Sequence, residues 1–362
     1  MEKGKISSLQ MAVMLFPAII ATFIISVPSI VGQYAKNDLW ISPIFASVGG
    51  FVTVYIAYEL HKLYPKQTVI QFSEQIVGRF AGKIISLIFL SFYLLTTGHV
   101  VRGYSEFIVS SILIHTPISV ISVTMVILCA FAVQGGIEML GRLAQLFSPF
   151  FILPLFIVVI LLSPDFDFKN IFPIFGEGIG PSLKGAVVPR GWFSEFFLII
   201  FLLPFVTDVK KSRKYGMWTV FAVMLTLVVV NLTVLLILGP ATASKQFPLM
   251  NVSRYVSVGE FFDNLESVAM AVWIIGAFVK ISVFFYVTAL GTAQFLNLSD
   301  YRVVIWPFTI LIVEISFWSI PSLAAYNSFL TVVLPYYGPF IQTIIPLFLL
   351  LIAIVRKKKK AN

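Results

Sequence analysis

SVAMAVWIIGAFVKISVFFYVTALGTAQF, residues 267–295, is an apolar stretch with a single lysine, Lys280, near its middle. A second apolar stretch, PRGWFSEFFLIIFLLPFV at 189–206, contains one acid, Glu195. Each is close to the roughly 20 residues that a helix needs to cross a bilayer. A charge at the bilayer centre costs roughly 2.5–3.5 kcal/mol and survives where it faces a cavity or a partner. The two residues therefore predict an internal polar site near the midplane, where Lys280 and Glu195 lie close together.

The composition of the whole chain is that of a polytopic membrane protein. Of its 362 residues, 59% are hydrophobic and 11% are charged, whereas a soluble domain is about 25% charged. The single cysteine, Cys129, lies in an apolar run, which excludes an intramolecular disulfide and predicts no metal site. The net charge of +9 could suggest nucleic-acid binding. However, the basic residues lie mainly in short loops and at the C-terminus, so we expect no nucleic-acid partner.

Hydropathy predicts an all-α fold with ten transmembrane helices, here named the first to tenth spans, over residues 8–32, 40–61, 83–111, 117–134, 142–163, 184–208, 216–239, 264–295, 303–319 and 333–355. With both termini in the cytoplasm, 17 of the 25 basic residues are cytoplasmic, namely Lys3, Lys5, Lys62, Lys66, Arg79, Lys83, Arg142, Lys210, Lys211, Arg213, Lys214, Arg302, Arg356, Lys357, Lys358, Lys359 and Lys360. Six lie outside, namely Lys36, Lys169, Lys184, Arg190, Lys245 and Arg254. This bias follows the positive-inside rule and predicts cytoplasmic termini. The outside loops at 164–183 and 240–263 could form short surface helices.

The ten spans also predict an internal repeat. If the ten spans form two groups of five, the odd number in each group gives the two groups opposite orientations in the membrane. This relation is that of an inverted repeat. We therefore expect one membrane domain over 1–362, with repeats at about 8–163 and 184–355.

Prolines interrupt the first span of each repeat. Pro17 and Pro28 lie in the first span, and Pro189 and Pro204 in the sixth. Proline removes a backbone donor and bends or breaks a helix, and irregular backbone at membrane depth is tolerated where it lines a protein-enclosed cavity. Corresponding interruptions predict a midplane binding site. Ordinary proline kinks, which are common in membrane helices, are the alternative.

Short motifs from end to end of the chain carry a family resemblance. They are Ser26-Val27-Pro28, Asp38-Leu39-Trp40-Ile41, Val77-Gly78-Arg79, Gly82-Lys83, Arg102 with Glu106, Thr116-Pro117, Gly135-Gly136, Gly141-Arg142, Phe172-Pro173, Gly176-Glu177-Gly178-Ile179-Gly180-Pro181, Ser194-Glu195, Pro204, Lys210-Lys211, Trp273-Ile274 and Phe278-Val279-Lys280. In order and spacing the chain resembles the B subunits of bacterial spore germinant receptors. These form the endospore germination permease family, within the amino acid–polyamine–organocation transporter superfamily.

The resemblance implies a LeuT-like fold whose first and sixth spans are unwound at a ligand site between the first, third, sixth and eighth spans. It implies a germinant-sensing subunit for a small nutrient, with an amino acid favoured. The partners implied are a larger A subunit, a lipoprotein C subunit and the lipids of the spore inner membrane. Relatives usually carry glycines at the break in the first span, whereas this chain has Ala21, Thr22, Phe23 and Ile24 there.

The ligand-binding residues expected on these grounds are Ala21, Thr22, Phe23, Thr96, Gly191, Ser194, Glu195, Lys280 and Phe284. Gly191 lets the backbone open near Glu195, and Phe23 either lines the pocket or plugs it. Glu195 either recognises a ligand ammonium or carries a proton, or else it forms a helix-locking ion pair with Lys280. In sodium-coupled relatives the eighth span supplies oxygen ligands to sodium. A fixed ammonium there predicts a response that does not depend on sodium.

Several other polar residues have two interpretations. Thr96, Thr97 and His99 lie within one turn of the third span, but threonine hydroxyls in membrane helices often bond to their own helix carbonyls. Arg102 and Glu106 are spaced for an i, i+4 pair, and Glu314 lies in an apolar run without an obvious partner.

Two function classes remain open beside the sensor. The sequence carries no nucleophile triad or carboxylate dyad, so we expect neither an enzyme nor a cofactor. The main alternative is an autonomous proton-coupled amino-acid transporter. A ligand-free membrane scaffold is a further possibility if Phe23 closes the cavity.

Overall fold

The computed structural model describes residues 2–254, 257–258, 262–263 and 266–361, and the described side chains are those of 2–254 and 270–356. Sixteen α-helices occupy the described residues: α1 Ser8–Ala35, α2 Ser42–Leu63, α3 Val69–Val77, α4 Arg79–Ser111, α5 Ile118–Gln134, α6 Gly136–Leu162, α7 Gly180–Gly185, α8 Pro189–Ser194, α9 Ile199–Leu202, α10 Val209–Leu238, α11 Pro248–Ser253, α12 Glu266–Phe295, α13 Ile305–Trp318, α14 Leu323–Ser328, α15 Leu334–Pro339 and α16 Ile345–Ala361. A short antiparallel pair, β1 Ser257–Val258 and β2 Phe262–Asp263, precedes α12.

The helices reproduce the ten predicted spans. Within the described residues, eight helical segments are long and apolar enough to cross a membrane. The fourth span is the shorter apolar helix Ile118–Gln134, and the sixth is the series of short helices from α7 to Phe205. The protein is thus an all-α integral membrane protein. The predicted outside loops do contain short helices, the 3-10 helix Phe168–Ile171 and α11, but α11 is mostly buried and is not a surface helix. Residues 255–256, 259–261 and 264–265 of the second loop and the start of the eighth span lie outside the description.

The first span is one continuous helix. Residues 8–35 form α1 with Pro17 and Pro28 inside it, so the predicted break at 21–24 is wrong. The stretch carries no glycine, and alanine, phenylalanine and isoleucine gain nothing by leaving the right-handed helical region. The carbonyl of Ala21 accepts an extra hydrogen bond from Trp273 Nε1 at 2.9 Å.

The sixth span is segmented instead. Short α-helices alternate with 3-10 turns at Glu195–Leu198 and Leu203–Phe205, and the backbone is extended only at Val206. All side chains from Trp192 to Pro204 are buried, so protein encloses this span on every side. Irregular backbone at membrane depth is tolerated in such a setting.

The tenth span begins at Leu323, ten residues before its predicted start at 333, and carries two π-helical segments. Phe329–Val333 separates α14 from α15, and Phe340–Ile344 separates α15 from α16. A π segment is a rare feature that occurs frequently at functional sites.

The start of the chain joins the two repeats. Ile6 pairs in parallel with Val206, its N–H donating to the Phe205 carbonyl at 3.0 Å. Asp208 Oδ1 accepts hydrogen bonds from the Ser8 N–H at 2.7 Å and the Ser8 hydroxyl at 2.8 Å. The base of α1 is therefore tied to the short connection between the sixth span and α10.

Candidate functional site

Lys280 and Glu195 form a buried ion pair between α12 and the sixth span. Lys280 Nζ lies 2.7 Å from Glu195 Oε2, and the two side chains are 0% and 3% exposed. The ammonium also lies over the ring of Phe284, 5.2 Å from its centroid, in reach of a cation–π interaction. The predicted approach of the two charges is confirmed. Each charge neutralises the other where water cannot solvate either.

Thr22 on α1 completes the arrangement. Its Oγ1 accepts a hydrogen bond from Lys280 Nζ at 2.9 Å and another from Trp192 Nε1 at 3.0 Å. We call Lys280, Glu195, Thr22 and Trp192 the central network. It joins the first, sixth and eighth spans through polar atoms at the centre of an apolar molecule.

Phe23 packs behind this network. Its side chain is fully buried, stacked on Trp192 at 5.1 Å between ring centroids and edge-on to Phe193 at 5.5 Å. Phe23 therefore holds the first span against the sixth and lines none of the cavities found among the described residues.

Gly191 and Ser194 face the tenth span. Ser194 Oγ donates to the Gly191 carbonyl at 2.6 Å and accepts from Gln342 Nε2 at 3.3 Å. The side-chain oxygen of Gln342 accepts from the Tyr93 hydroxyl at 3.1 Å. A methyl group on Gly191 would lie 3.0 Å from Leu334, so glycine serves close packing there. These two predicted ligand residues lie in an interhelical contact.

A cavity lies beside Thr22, and we call it the Thr22 cavity. Its lining comes from the first, third, eighth and tenth spans and the loop before α11, namely Ala21, Thr22, Ile25, Ser26, Gly103, Tyr104, Phe107, Phe247, Trp273, Ala277, Leu323, Tyr326 and Asn327. On the predicted topology these are the outward parts of each span. Its volume of about 20 Å³ is enough for about one water molecule. The cavity in this structure is therefore too small for a ligand larger than water.

Tyr326 closes one side of the Thr22 cavity by packing on Gly103. A methyl group on Gly103 would overlap the Tyr326 hydroxyl. Phe107, which also lines the cavity, lies edge-on to Trp273, 4.1 Å between centroids, and to Phe247 at 5.1 Å. Opening the cavity requires movement of these aromatic side chains.

The threonines of the third span separate into different environments. Thr97 Oγ1 donates to the Tyr93 carbonyl of its own helix at 2.6 Å, which is the usual bonding of threonine in a membrane helix. Thr96 is buried and is not a lining residue of the Thr22 cavity. His99 is edge-on to Phe329 of the first π segment, 4.3 Å between ring centroids.

Two other predicted acids have distinct positions. Glu106 Oε1 pairs with Arg102 Nη2 at 2.6 Å, and the same nitrogen donates to the Pro321 carbonyl at 3.0 Å, which confirms the i, i+4 pair. Glu314 is exposed on α13, beside Ile310 and Trp318, which are 68% and 88% exposed. It thus faces away from the central network.

Sequence reasoning missed Trp192, Trp273, Tyr93 and Gln342. An indole N–H in an apolar span needs an acceptor, and this need is the signal that could have found both tryptophans. The sequence could not predict the position of Gln342, because the π segment that orients it has no signal in the hydropathy. Within the described part of the chain, no group of three or more His, Cys, Asp and Glu side chains is arranged to hold a metal.

Comparison with solved structures shows the fold. MhsT in complex with L-phenylalanine superposes with a TM-score of 0.67 at 12% identity, over 94% of this chain and 89% of that chain. A substrate-bound, outward-open Na⁺-coupled sialic acid symporter gives 0.62 at 13% identity, over 94% and 80%. At these identities the likeness concerns architecture alone, and it confirms the predicted LeuT-like class.

Comparison of sequences shows the family. Spore germination protein KB of Bacillus subtilis (strain 168) is 27% identical over 369 residues, which cover 99% of this chain and 97% of that protein. Residues 5–322 match the family model described as spore germination protein. With that match extending over most of a LeuT-like chain, the protein belongs to the spore germination permease family.

Proposed function

We propose that this protein is the germinant-sensing, transporter-like subunit of a spore germination receptor. It binds a small nutrient, with an amino acid favoured, and passes a conformational change to a larger A subunit and a lipoprotein C subunit. Its place is the spore inner membrane, with both termini in the cytoplasm.

The observation that carries the proposal is the central network with the Thr22 cavity beside it. Thr22 belongs to both, so a ligand in the cavity touches a hydroxyl that the first, sixth and eighth spans share. Tyr326 of the tenth span closes one side of the cavity. Ligand entry therefore requires the Tyr326 side chain to move, and we propose that the tenth span moves with it. Such a movement can signal, because a ligand stabilises the conformation that it binds better.

Deletion of the gene tests the sensing role. Spores without the protein lose the response to at least one nutrient, measured as the fall in optical density during germination, and a plasmid copy restores it. An unchanged response to every nutrient that wild-type spores recognise would contradict the proposal.

Sodium replacement tests the role of Lys280. The ammonium is held by Glu195 and Thr22 within 2.9 Å and supplies a fixed positive charge where sodium-coupled transporters need a mobile one. The response is expected to be unchanged when choline replaces sodium. A steep loss of response would show that a mobile cation is still required.

Liposome uptake separates the sensor from an autonomous proton-coupled transporter. In a pH gradient the purified protein is expected to bind its nutrient without accumulating it. Accumulation that collapses with the gradient would favour the transporter.

A further inference from the structure

Among the buried threonines of the helices, Thr22 and Thr53 bond to other helices, Thr53 through the hydroxyl of Thr343. Most of the others bond within their own helix. Five of them donate their hydroxyl to the carbonyl four residues earlier in the same helix, namely Thr97, Thr219, Thr233, Thr288 and Thr309. Such back-bonding is the usual behaviour of threonine in membrane helices. Thr22 instead accepts two hydrogen bonds, and its hydroxyl donates to no atom in the described residues.

The lone pairs of the Thr22 hydroxyl determine which hydrogen bonds it can still make to a ligand. A hydroxyl has one donor hydrogen and two acceptor lone pairs. The ammonium of Lys280 and the indole N–H of Trp192 take both lone pairs, at 2.9 and 3.0 Å. The hydroxyl can therefore act only as a donor. Because one of the two groups that donate to it is a cation, the O–H is polarised and makes stronger hydrogen bonds than a neutral pair.

The surroundings of Thr22 leave its hydroxyl hydrogen available to a molecule in the Thr22 cavity. The side chain is 8% exposed and lines the Thr22 cavity, whose described lining carries no charged side chain. Its walls are aromatic on one side, through Phe107 and Trp273. A molecule in the cavity meets the polarised O–H of Thr22, an aromatic wall, and the uncharged polar side chains of Ser26, Tyr104, Tyr326 and Asn327.

We propose that the Thr22 hydroxyl is the docking point for an acceptor oxygen of the ligand, a carboxylate or carbonyl oxygen carried next to an apolar group. This inference rests on the proposed function and names the chemistry that the site selects. The donor is a side chain of the first span, so an intact helix can supply it without unwinding. Selection by net charge is weak, because the lining residues are uncharged.

A panel of matched compounds tests the proposal on the full chain in nanodiscs. Alanine, valine and phenylalanine are each titrated as the acid, as the amide, and as the amine that remains without the carboxyl group, with affinity measured by calorimetry. Amide and amine carry the same charge, so their difference isolates the carbonyl oxygen. For at least one side-chain size, the acid and the amide are expected to bind at least tenfold more tightly than the amine.

Variants then assign that difference to Thr22. In Thr22→Val the preference for amide over amine is expected to fall to less than threefold, and in Thr22→Ser it is expected to return. Thr97→Val, which removes a back-bonded hydroxyl, is the matched control.

Three results would overturn the proposal. They are an amine that binds as tightly as its amide, a Thr22→Val variant that keeps the wild-type preference, and wild-type protein that binds no acid or amide of the panel. None of these alone touches the sensing role, because that role is tested by deletion in spores. Conversely, spores that respond normally without the protein would contradict the sensing role whatever the calorimetry shows.

Discussion

The first and sixth spans occupy corresponding places in the two repeats, and each contains two prolines, yet they fold differently. α1 is an uninterrupted helix of 28 residues, whereas the sixth span is a series of pieces of three to six residues. Gly191 does not account for the difference, because it lies inside the helix α8 and has no positive φ. Proline alone does not decide where a membrane helix breaks.

The comparison also shows how the two spans share the central network. The regular helix supplies an acceptor, Thr22, whereas the irregular one supplies the acid Glu195 and the donor Trp192. Trp192 and Glu195 are three residues apart, so both can reach the network from one side of the sixth span. Four substitutions test this division, beginning with the largest expected effect.

Lys280→Met leaves Glu195 buried without its counter-ion. We expect a loss of about 3–5 kcal/mol, as is typical when one partner of a buried pair is removed. Thermal unfolding in detergent measures it. The double variant Lys280→Met/Glu195→Leu should recover most of the loss, because a neutral apolar pair carries no unpaired charge. A double variant as unstable as the single one would show that the ion pair is not the cause.

Phe23→Ala removes an aromatic contact between the first and sixth spans. The ring is fully buried against Trp192 and Phe193, so truncation leaves a cavity and should cost about 3 kcal/mol. Phe80→Ala is the control, because Phe80 is 82% exposed. The sequence alone favoured a change of ligand preference on Phe23→Ala. If preference changes while the unfolding temperature stays constant, Phe23 faces a ligand and its placement here is wrong.

Trp192→Phe removes the hydrogen bond to Thr22 and part of a buried ring. The expected loss is about 1 kcal/mol for the hydrogen bond, to which the lost ring volume adds. Trp218→Phe, at a residue that is 58% exposed, should change the unfolding temperature less. Equal effects of the two substitutions would mean that the bond to Thr22 contributes nothing.

Asp208→Asn has the smallest effect, which is present at neutral pH and disappears in acid. Asp208 lies between Phe205, where the sixth span ends, and the start of α10. Burial raises its pKa, but the hydrogen bonds from Ser8 lower it, and the net result is a pKa below the ordinary value. A lowered pKa in the folded state contributes stability that is present above the unfolded pKa, about 3.9, and is lost as the pH falls through the folded value. The wild-type protein should therefore lose stability below about pH 4, and the variant should lose less. Parallel pH profiles would contradict this role.

The sequence correctly predicted the features that follow from the free-energy cost of placing a charge in the membrane. A lone lysine and a lone acid in separate apolar spans must find each other or a cavity, and Lys280 and Glu195 do so at 2.7 Å. The number of spans also followed from hydropathy, because a bilayer demands a minimum apolar length. Both conclusions rest on a property of single residues or short windows.

The features that the sequence did not predict depend on packing between distant segments. Whether the backbone of α1 stays helical at Thr22 is decided by neighbours on two other spans, and hydropathy does not record them. The same holds for Phe23, whose apolar ring suits a pocket wall as well as a helix contact. Ser194 met Gln342 because a π segment turned that glutamine inward, and no residue type marks such a segment.

The two π segments of the tenth span set the rotational phase of its side chains. A π turn holds one residue more than an α turn, and each added residue rotates the remainder of the helix by about 100° around its axis. The first segment lies between Tyr326, which closes the Thr22 cavity, and Leu334, which packs on Gly191. The second carries Gln342 between Ser194 and Tyr93. The number of residues in the first π segment therefore determines which residue of the tenth span faces the Thr22 cavity. Converting the first segment to α-helix would turn Tyr326 about a quarter of the way around the axis relative to Leu334, without any change of side chain.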